Sequence, residues 1–293
     1  AVLAARATGA RPGATTMYGR TGRWAVRCGC CSRVVDKQLS QGLQWATHSV
    51  KDDRMSNPTA AMLVIGDEIL SGRTRDANMH HLAGELTKAG ITLSEVRVVS
   101  DDAPAIVAAV QALSAAYDTV FTSGGIGPTH DDITADCIAE AFGAHIDVRD
   151  DARALLAAFY EETGREFNAA RMRMARIPDG ATLIDNPVST APGFTLGNVH
   201  VMAGVPSVFQ AMIASVLPTL SGGAPLLSRS LRVVRGEGDI AGPLGEFAAR
   251  HPDLSVGSYP FQKDGIYGAN LVVRGQDAAA LDAAMAELGA VFA

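Results

Sequence analysis

The chain has 293 residues, a formal net charge of −6 at pH 7 and 47% hydrophobic residues. This length allows one large or two ordinary domains, and the apolar content is sufficient for a buried core. No run of about 18 apolar residues suggests a membrane span, and the negative charge argues against a nucleic-acid-binding surface. These features indicate a soluble enzyme that acts on small molecules.

The cysteines show neither zinc-ligand spacing nor the pattern of a disulfide framework. Three of the four lie in one short segment, at positions 28, 30 and 31, and Cys137 falls on a predicted buried helix face. This usage favours a reducing compartment, and we expect a cytoplasmic protein.

Residues 1–54 differ in composition from the rest of the chain. Six arginines precede the first acidic residue, Asp36, and no apolar period of 2 or 3.6 is sustained. One interpretation is a disordered extension translated upstream of Met55, which stands just before the first predicted strand. The alternatives are an organellar transit peptide, which is typically rich in arginine and poor in acids, and folded structure.

From residue 60 onward, predicted strands and helices alternate. The apolar runs predict strands at 61–65, 96–99, 119–121 and 198–202, and the helical periods predict helices at 76–89, 103–116, 133–142 and 208–217. Residues 150–175 are expected to be mostly helical, with a break near Gly164. Strands that are apolar on both faces and joined by helices predict a parallel sheet in a three-layer α/β domain, to which we assign residues 55–222.

A second pattern follows the segment 221–225. Strands are predicted at 231–234, 254–259 and 269–273, with helices at 241–250 and 278–292. The order β-α-β-β-α predicts a small α+β domain over residues 223–293, joined to the first by a flexible linker.

The most informative segment is the turn that follows the third predicted strand. Residues 122–134 read Thr-Ser-Gly-Gly-Ile-Gly-Pro-Thr-His-Asp-Asp-Ile-Thr, which is neither a phosphate-binding Walker loop nor a dinucleotide fingerprint. A glycine-rich turn before a helix offers backbone N–H groups to an anion such as phosphate. Asp131 or Asp132 can cap the helix or hold a divalent cation. An ordinary tight turn with an aspartate cap is the alternative.

Four loops are predicted to meet at the carboxyl edge of the sheet, where ligands bind in such folds. They are the segments 66–72, which runs on to Asp76, 124–132, 189–193 and 203–207, where Ser207 is expected to cap a helix. Converging carboxylates repel one another unless a cation lies between them, so a Mg²⁺-type ion is expected. Asp76 alone is better explained as a helix cap, and His130 is better explained as a hydrogen-bonded loop residue than as a general base.

These motifs resemble the N-terminal domain of competence/damage-inducible protein A (CinA), a member of the molybdopterin-binding superfamily that includes MoaB, MogA and MoeA. The resemblance rests on the segments 66–72, 76–78, 124–134, 186–193 and 204–207. It implies a MogA-like three-layer fold with a small α+β domain behind it, and no counterpart of the CinA amidase domain is present in the sequence.

The resemblance also implies roles for individual residues. Catalytic roles fall on Asp132, Asp131 and Glu68, and a divalent metal (Mg²⁺ or Co²⁺) would be held by Asp132, Asp76 and Glu68. Ligand contacts fall on Gly124, Gly125, Gly127, Thr129, Thr190, Gly193, Gly204 and Ser207.

Three functions stay open at this point. The first is metal-dependent hydrolysis of a nucleotide pyrophosphate such as ADP-ribose, as in CinA-type relatives. The second is binding or adenylylation of molybdopterin, and the third is non-catalytic ligand binding. The expected partners are a small-molecule nucleotide or pterin and further copies of the chain, with no nucleic acid and no membrane.

Overall fold

The computed structural model describes residues 57–293. The predicted extension over residues 1–54 lies outside them. The described part contains eleven strands: β1 Thr59–Ile65, β2 Thr92–Val99, β3 Thr119–Ser123, β4 Ile146–Val148, β5 Arg176–Pro178, β6 Thr182–Ile184, β7 Gly193–Leu196, β8 Val199–Met202, β9 Leu227–Val233, β10 Ser255–Lys263 and β11 Ile266–Gly275.

The same residues form nine α-helices: α1 Asp67–Leu70, α2 Asn78–Lys88, α3 Ala103–Ala116, α4 Thr134–Phe142, α5 Asp150–Glu162, α6 Ala169–Met172, α7 Pro206–Val216, α8 Glu237–Arg250 and α9 Ala278–Val291. Short 3₁₀ turns follow α6 (Arg173–Ala175) and α7 (Leu217–Thr219). In the described chain, no helix has the length and apolar character needed to cross a membrane.

A six-stranded sheet in the order β2-β1-β3-β8-β7-β6 forms the centre of the first domain. Strands β2, β1, β3 and β8 are parallel, and β7 is antiparallel to both β8 and β6. Five strands therefore run in one direction. The carboxyl ends of β1, β3, β8 and β6 lie at one edge, where the amino end of β7 also lies, so the four predicted loops do share an edge.

Helices cover both faces of this sheet, which confirms the predicted three-layer α/β fold. Alternate residues of β1 enter different cores: Leu63 packs with residues of α3, α4 and α5, whereas Met62 packs with residues of α2 and α7. Both side chains are fully buried. This two-sided burial explains the continuous apolar run of the strand.

Helix α7 begins differently from the sequence prediction. Its N-cap is Val205, with no side-chain capping bond, and Pro206 takes the first helical position. The prediction that Ser207 caps this helix is therefore wrong, since Ser207 lies inside the first turn. Proline has a backbone angle suited to the start of a helix and needs no partner for a missing N–H, which explains why the helix begins two residues earlier than predicted.

The small α+β domain is an antiparallel sheet in the order β10-β11-β9, with α8 and α9 packed on one face. Phe247, Leu271 and Leu288 are fully buried in its core. The linker that precedes it is fixed to the first domain: the Gly223 N–H donates to the Gly90 carbonyl at 3.1 Å, and the Asn57 amide donates to the Ala224 carbonyl at 2.8 Å. These bonds connect the linker, which the sequence predicted to be flexible, to the first domain.

His200 on β8 is a buried titratable group in the middle of the central sheet. It is 6% exposed, its Nδ1 lies 2.8 Å from the Thr195 hydroxyl, and its ring lies 5.2 Å from that of Phe121. Burial lowers the pKa of His200 from 6.5 to about 4. The imidazole is therefore neutral at pH 7.

We expect this burial to make the fold sensitive to acid. As the pH falls below 6.5, the unfolded chain protonates His200 while the folded chain does not until about pH 4, so stability is lost across that window. The cost is about 2–3 kcal/mol at its lower end. Urea unfolding of the parent protein and of His200→Gln at pH 7 and pH 4.5 measures it. An equal loss of unfolding free energy between pH 7 and pH 4.5 in the two proteins would contradict the prediction.

Candidate functional site

The glycine turn leaves β3 at the carboxyl edge of the sheet and leads into α4. The Gly124 N–H donates to the Met202 carbonyl at 3.1 Å, which ties the turn to the end of β8. The buried Thr134 closes it from the other side: its hydroxyl donates to the Gly124 carbonyl and its N–H to the Gly125 carbonyl, both at 3.0 Å. The turn is thus fixed at both ends.

Glycine is required at two positions of this turn by the packing of the protein itself. Gly124 and Gly125 have positive φ angles of 110° and 70°, a region that side-chain-bearing residues rarely adopt. A Cβ on Gly124 would lie 2.2 Å from the Ile65 carbonyl oxygen, and one on Gly125 would lie 2.1 Å from the Thr134 hydroxyl. Both distances are far inside van der Waals contact.

Three consecutive backbone N–H groups in the turn are free to bind a ligand. Within the described residues, the N–H groups of Gly125, Ile126 and Gly127 donate to no acceptor. Buried or half-buried N–H groups normally have partners. A run of unused N–H groups in a glycine turn is typical of a site for an anion.

Asp132 folds back onto the turn. Its Oδ2 accepts hydrogen bonds from the Thr129 N–H at 2.8 Å and from the Thr129 hydroxyl at 2.5 Å. A Cβ on Gly127 would lie 2.6 Å from the same oxygen, so the carboxylate rests against the glycine backbone. In the described chain its Oδ1 has no hydrogen-bond donor, which leaves this oxygen for a ligand or water.

The neighbouring Asp131 and His130 are more exposed. The side chains of His130 and Asp131 are 99% and 63% exposed and lie 3.8 Å apart. The Thr129 hydroxyl, the backbone N–H of Asp131 and His130 lower the pKa of the Asp131 carboxyl. Since one hydroxyl donates one proton at a time, the 2.5 Å contact assigns the Thr129 hydrogen bond to Asp132.

The loop after β8 and the start of α2 are joined to the glycine turn. Gly204 packs on Gly124, since a Cβ on Gly204 would lie 3.3 Å from the Gly124 Cα. The amide of Asn78, at the start of α2, donates to the Ser123 hydroxyl and to the Gly204 carbonyl, both at 2.8 Å. These bonds join the beginning of α2, the end of β3 and the loop after β8.

Asn186 organises the loop between β6 and β7. Its amide donates to the Ser189 hydroxyl (2.7 Å) and the Ala191 carbonyl (2.8 Å), and it is 3% exposed. This frame holds Thr190 at a φ of +63°, which is strained for a β-branched residue and is typical of functional loops. Gly193 already lies in β7, where a Cβ would meet the Val201 carbonyl oxygen at 2.4 Å.

The carboxylates predicted to bind one metal ion together each have a different contact in the structure. Asp76, one residue before the N-cap Ala77, accepts a hydrogen bond at 2.9 Å from the Met79 N–H in the first turn of α2. The Glu68 carboxylate lies against Gly66, whose Cβ would be 2.5 Å from it. Within residues 57–293, no three side chains of His, Cys, Asp or Glu are grouped so that they could hold a metal ion. The described residues therefore do not form a metal centre by themselves.

A narrow cleft opens beside the glycine turn. It encloses about 380 Å³ including its open mouth, and its lining includes Gly125, Gly127, Asp132, Arg173, Arg176 and Phe194. The Arg176 guanidinium forms a two-pronged ion pair with Asp136 at 2.6 and 2.8 Å. No sequence motif marks Arg173, and no role was predicted for Asn186, although Asn-Pro-Val-Ser over residues 186–189 is a recognisable turn signal.

The chain matches two known protein families and resembles several curated proteins. Residues 61–222 match the family described as "Probable molybdopterin binding domain", and residues 225–293 match "FAD synthase, middle domain". Among curated proteins, a CinA-like protein of Citrifermentans bemidjiense is 40% identical over 55% of this chain and 40% of its own length. A protein of Caenorhabditis elegans named "Probable FAD synthase" is 32% identical over 80% of this chain and 50% of its own length.

Among solved structures, that of the protein CinA with unknown function from Thermoplasma acidophilum is 32% identical. The match covers 55% of this chain and 97% of that one, with a TM-score of 0.51. The chain spans half or less of the length of the two curated relatives above. The predicted resemblance to CinA and to the molybdopterin-binding superfamily is confirmed.

Proposed function

The chain belongs to the molybdopterin-binding domain family, and from this premise we propose that its glycine turn binds a phosphate group of a nucleotide or a pterin. The observation that carries the proposal is the run of free N–H groups at Gly125, Ile126 and Gly127. It lies at the carboxyl edge of a sheet with five co-directional strands, where α/β proteins bind their ligands. Backbone N–H groups stabilise phosphate oxygens by hydrogen bonds that are strengthened by the charge of the anion.

The finer proposal is hydrolysis of a nucleotide pyrophosphate such as ADP-ribose. Two comparisons favour a ligand of this class: the match of residues 225–293 to the FAD synthase middle domain and the similarity to a relative named "Probable FAD synthase". FAD and ADP-ribose both contain an adenosine diphosphate group, so one phosphate-binding turn suits either. The resemblance to CinA-type hydrolases supports the same reaction class.

Asp132 is the residue best placed to assist this reaction. Its Oδ2 is fixed by Thr129, its Oδ1 accepts no hydrogen bond from the described residues, and the residue lines the cleft. Such a carboxylate can orient a water molecule towards phosphorus and accept its proton. The water oxygen forms a new P–O bond, the bridging P–O bond breaks, and the second phosphate leaves with the bridging oxygen. The turn N–H groups stabilise the charge that develops on the phosphate oxygens.

The divalent metal remains a prediction. When bound, Mg²⁺ or Co²⁺ would neutralise pyrophosphate charge and lower the pKa of a coordinated water. Since the described carboxylates do not form a metal centre, no step of the reaction above is assigned to a metal.

One observation favours a second function. The family match of residues 61–222 is to a molybdopterin-binding domain, and molybdopterin also carries a phosphate. Binding of a pterin phosphate at the same turn is therefore the alternative, with or without adenylylation.

Release of AMP tests the hydrolytic proposal. The purified full chain is incubated with ADP-ribose or FAD, in the presence of Mg²⁺, Co²⁺ or a chelator, and AMP is measured by chromatography. We expect AMP from at least one of the two dinucleotides. If no AMP forms above the protein-free control under any condition, hydrolysis is excluded. Tight binding of a molybdopterin compound in that case would establish the alternative.

A further inference from the structure

Arg173 is a cationic residue of the cleft whose hydrogen-bonding capacity is largely unused. It lies in the 3₁₀ turn after α6 and lines the cleft together with Gly125, Gly127 and Asp132. One guanidinium nitrogen, Nη2, makes a long contact of 3.4 Å with the Asp132 backbone carbonyl. Its Nε is buried and has no hydrogen-bond partner among the residues that the structure describes.

The guanidinium groups of the neighbouring arginines have ion-pair, hydrogen-bond or stacking partners, whereas that of Arg173 makes a single long hydrogen bond. Arg176 is paired with both carboxylate oxygens of Asp136. Arg171 stacks over the Tyr160 ring at 4.6 Å and donates to the Glu166 carbonyl. Over residues 57–293, no carboxylate lies within ion-pair distance of Arg173. Arg173 is therefore a cation of the cleft that has no carboxylate partner among these residues, although Asp132 lines the same cleft.

Leaving an N–H of a charged group buried and unpaired costs free energy, because its hydration is lost and nothing replaces it. A buried unpaired donor in a folded protein calls for an explanation, and an acceptor atom of a bound ligand would supply one. At this position the acceptor would also lie beside the free N–H groups of the glycine turn.

The size of the cleft limits what that acceptor can be. The space that a water-sized group can occupy is about 20 Å³, and roughly 10–15 Å³ suffices for one water molecule. This space admits a single phosphate oxygen. Guanidinium is the side chain best suited to phosphate, since its donors match the spacing of two oxygens.

We propose that Arg173 binds a phosphate oxygen of the ligand and forms, with the N–H groups of Gly125, Ile126 and Gly127, a two-sided anion site. The inference rests on the proposed function and extends it: the site recognises the phosphate through a side chain from outside the glycine turn. Ligands with two linked phosphates gain most from it, because one phosphate can contact the turn while an oxygen of the other contacts Arg173.

Isothermal titration of the full chain with inorganic pyrophosphate and with ADP-ribose tests the proposal. Arg173→Gln is expected to weaken both affinities roughly ten- to a hundredfold, the usual effect of losing a charge-assisted hydrogen bond. Arg173→Lys, which keeps the charge without the planar fork, should show a smaller loss. Arg171→Gln is the control, since it removes the same charge two residues away and should change affinity by less than about twofold.

The outcomes separate this inference from the proposed function. If the parent protein binds pyrophosphate and Arg173→Gln binds it equally well, Arg173 has no role while the glycine turn keeps its own. If the parent protein binds neither ligand, both proposals are wrong. Equal losses in the Arg173→Gln and Arg171→Gln variants would show a general charge effect and would also overturn the inference.

A second measurement does not depend on affinity. The Nε–H resonance of Arg173, identified by its absence from the spectrum of Arg173→Gln, should shift on addition of pyrophosphate to ¹⁵N-labelled protein. An unchanged resonance at saturating pyrophosphate would show that the buried Nε meets only a water molecule, and the inference would be refuted. Thermal unfolding of each variant confirms that the loss is not one of folding.

Discussion

The Asp132→Asn variant is expected to lose nucleotide pyrophosphate turnover by a factor of about a hundred or more, while the fold stays intact. The amide oxygen can take the position of Oδ2 and keep accepting from the Thr129 N–H and hydroxyl. What the variant loses is the negative charge and the free Oδ1 that would orient and deprotonate water. The stability cost should stay within about 1 kcal/mol, the worth of one ordinary hydrogen bond.

The measurement is kcat for AMP release together with the thermal midpoint. Asp150→Asn serves as the control, because it makes the same chemical change at a side chain that is 93% exposed and pairs only with Arg153 at the surface. It should leave both quantities unchanged. Turnover by Asp132→Asn at the parental rate would show that Asp132 serves only to shape the turn.

Gly125→Val is expected to distort the glycine turn and to abolish phosphate binding. Valine at a φ of 70° is strained, and its Cβ would lie 2.1 Å from the Thr134 hydroxyl. Backbone strain costs about 1–2 kcal/mol and overpacking a further 1–3 kcal/mol or so. Thr134 must then move, and its bonds to Gly124 and Gly125 weaken, so the free N–H groups lose their arrangement.

The Gly143→Val variant separates the cost of backbone strain from the cost of overpacking. Gly143 ends α4 with a φ of 64°, and a Cβ there meets nothing within 4 Å. This control should carry the strain alone and keep its affinity for pyrophosphate. If, by titration well below the melting temperatures, folded Gly125→Val binds pyrophosphate as tightly as Gly143→Val does, the turn is not the phosphate site.

The general fold could be predicted because its signals are strong and local. The run 60–65 is apolar at every position since β1 is buried on both faces, and the helix at 103–116 was predicted to the residue. The glycine turn could be predicted from the sequence because two of its positions have positive φ angles, which glycine adopts most readily. The edge that it shares with the loops after β1, β6 and β8 follows from the direction of the strands.

Other features depend on contacts that a sequence pattern does not carry. Strands β6 and β7 have three and four residues, too few to show an alternation. The expected metal site stays a prediction: Asp76 accepts a hydrogen bond from the Met79 N–H and Asp132 accepts one from the Thr129 N–H, contacts that the sequence does not reveal. Arg173 stands 41 residues from Asp132 in the chain, and only the folded structure brings it to the glycine turn.

The central claim is that the backbone N–H groups of the glycine turn bind phosphate, and an amide NMR titration tests it most directly. With ²H,¹⁵N-labelled full chain and increasing ADP-ribose or inorganic pyrophosphate, the resonances of Gly125, Ile126 and Gly127 should move the most and saturate together. The N–H of Gly124, already bonded to the Met202 carbonyl, should move less. Saturable binding that leaves the Gly125, Ile126 and Gly127 resonances in place would contradict the account.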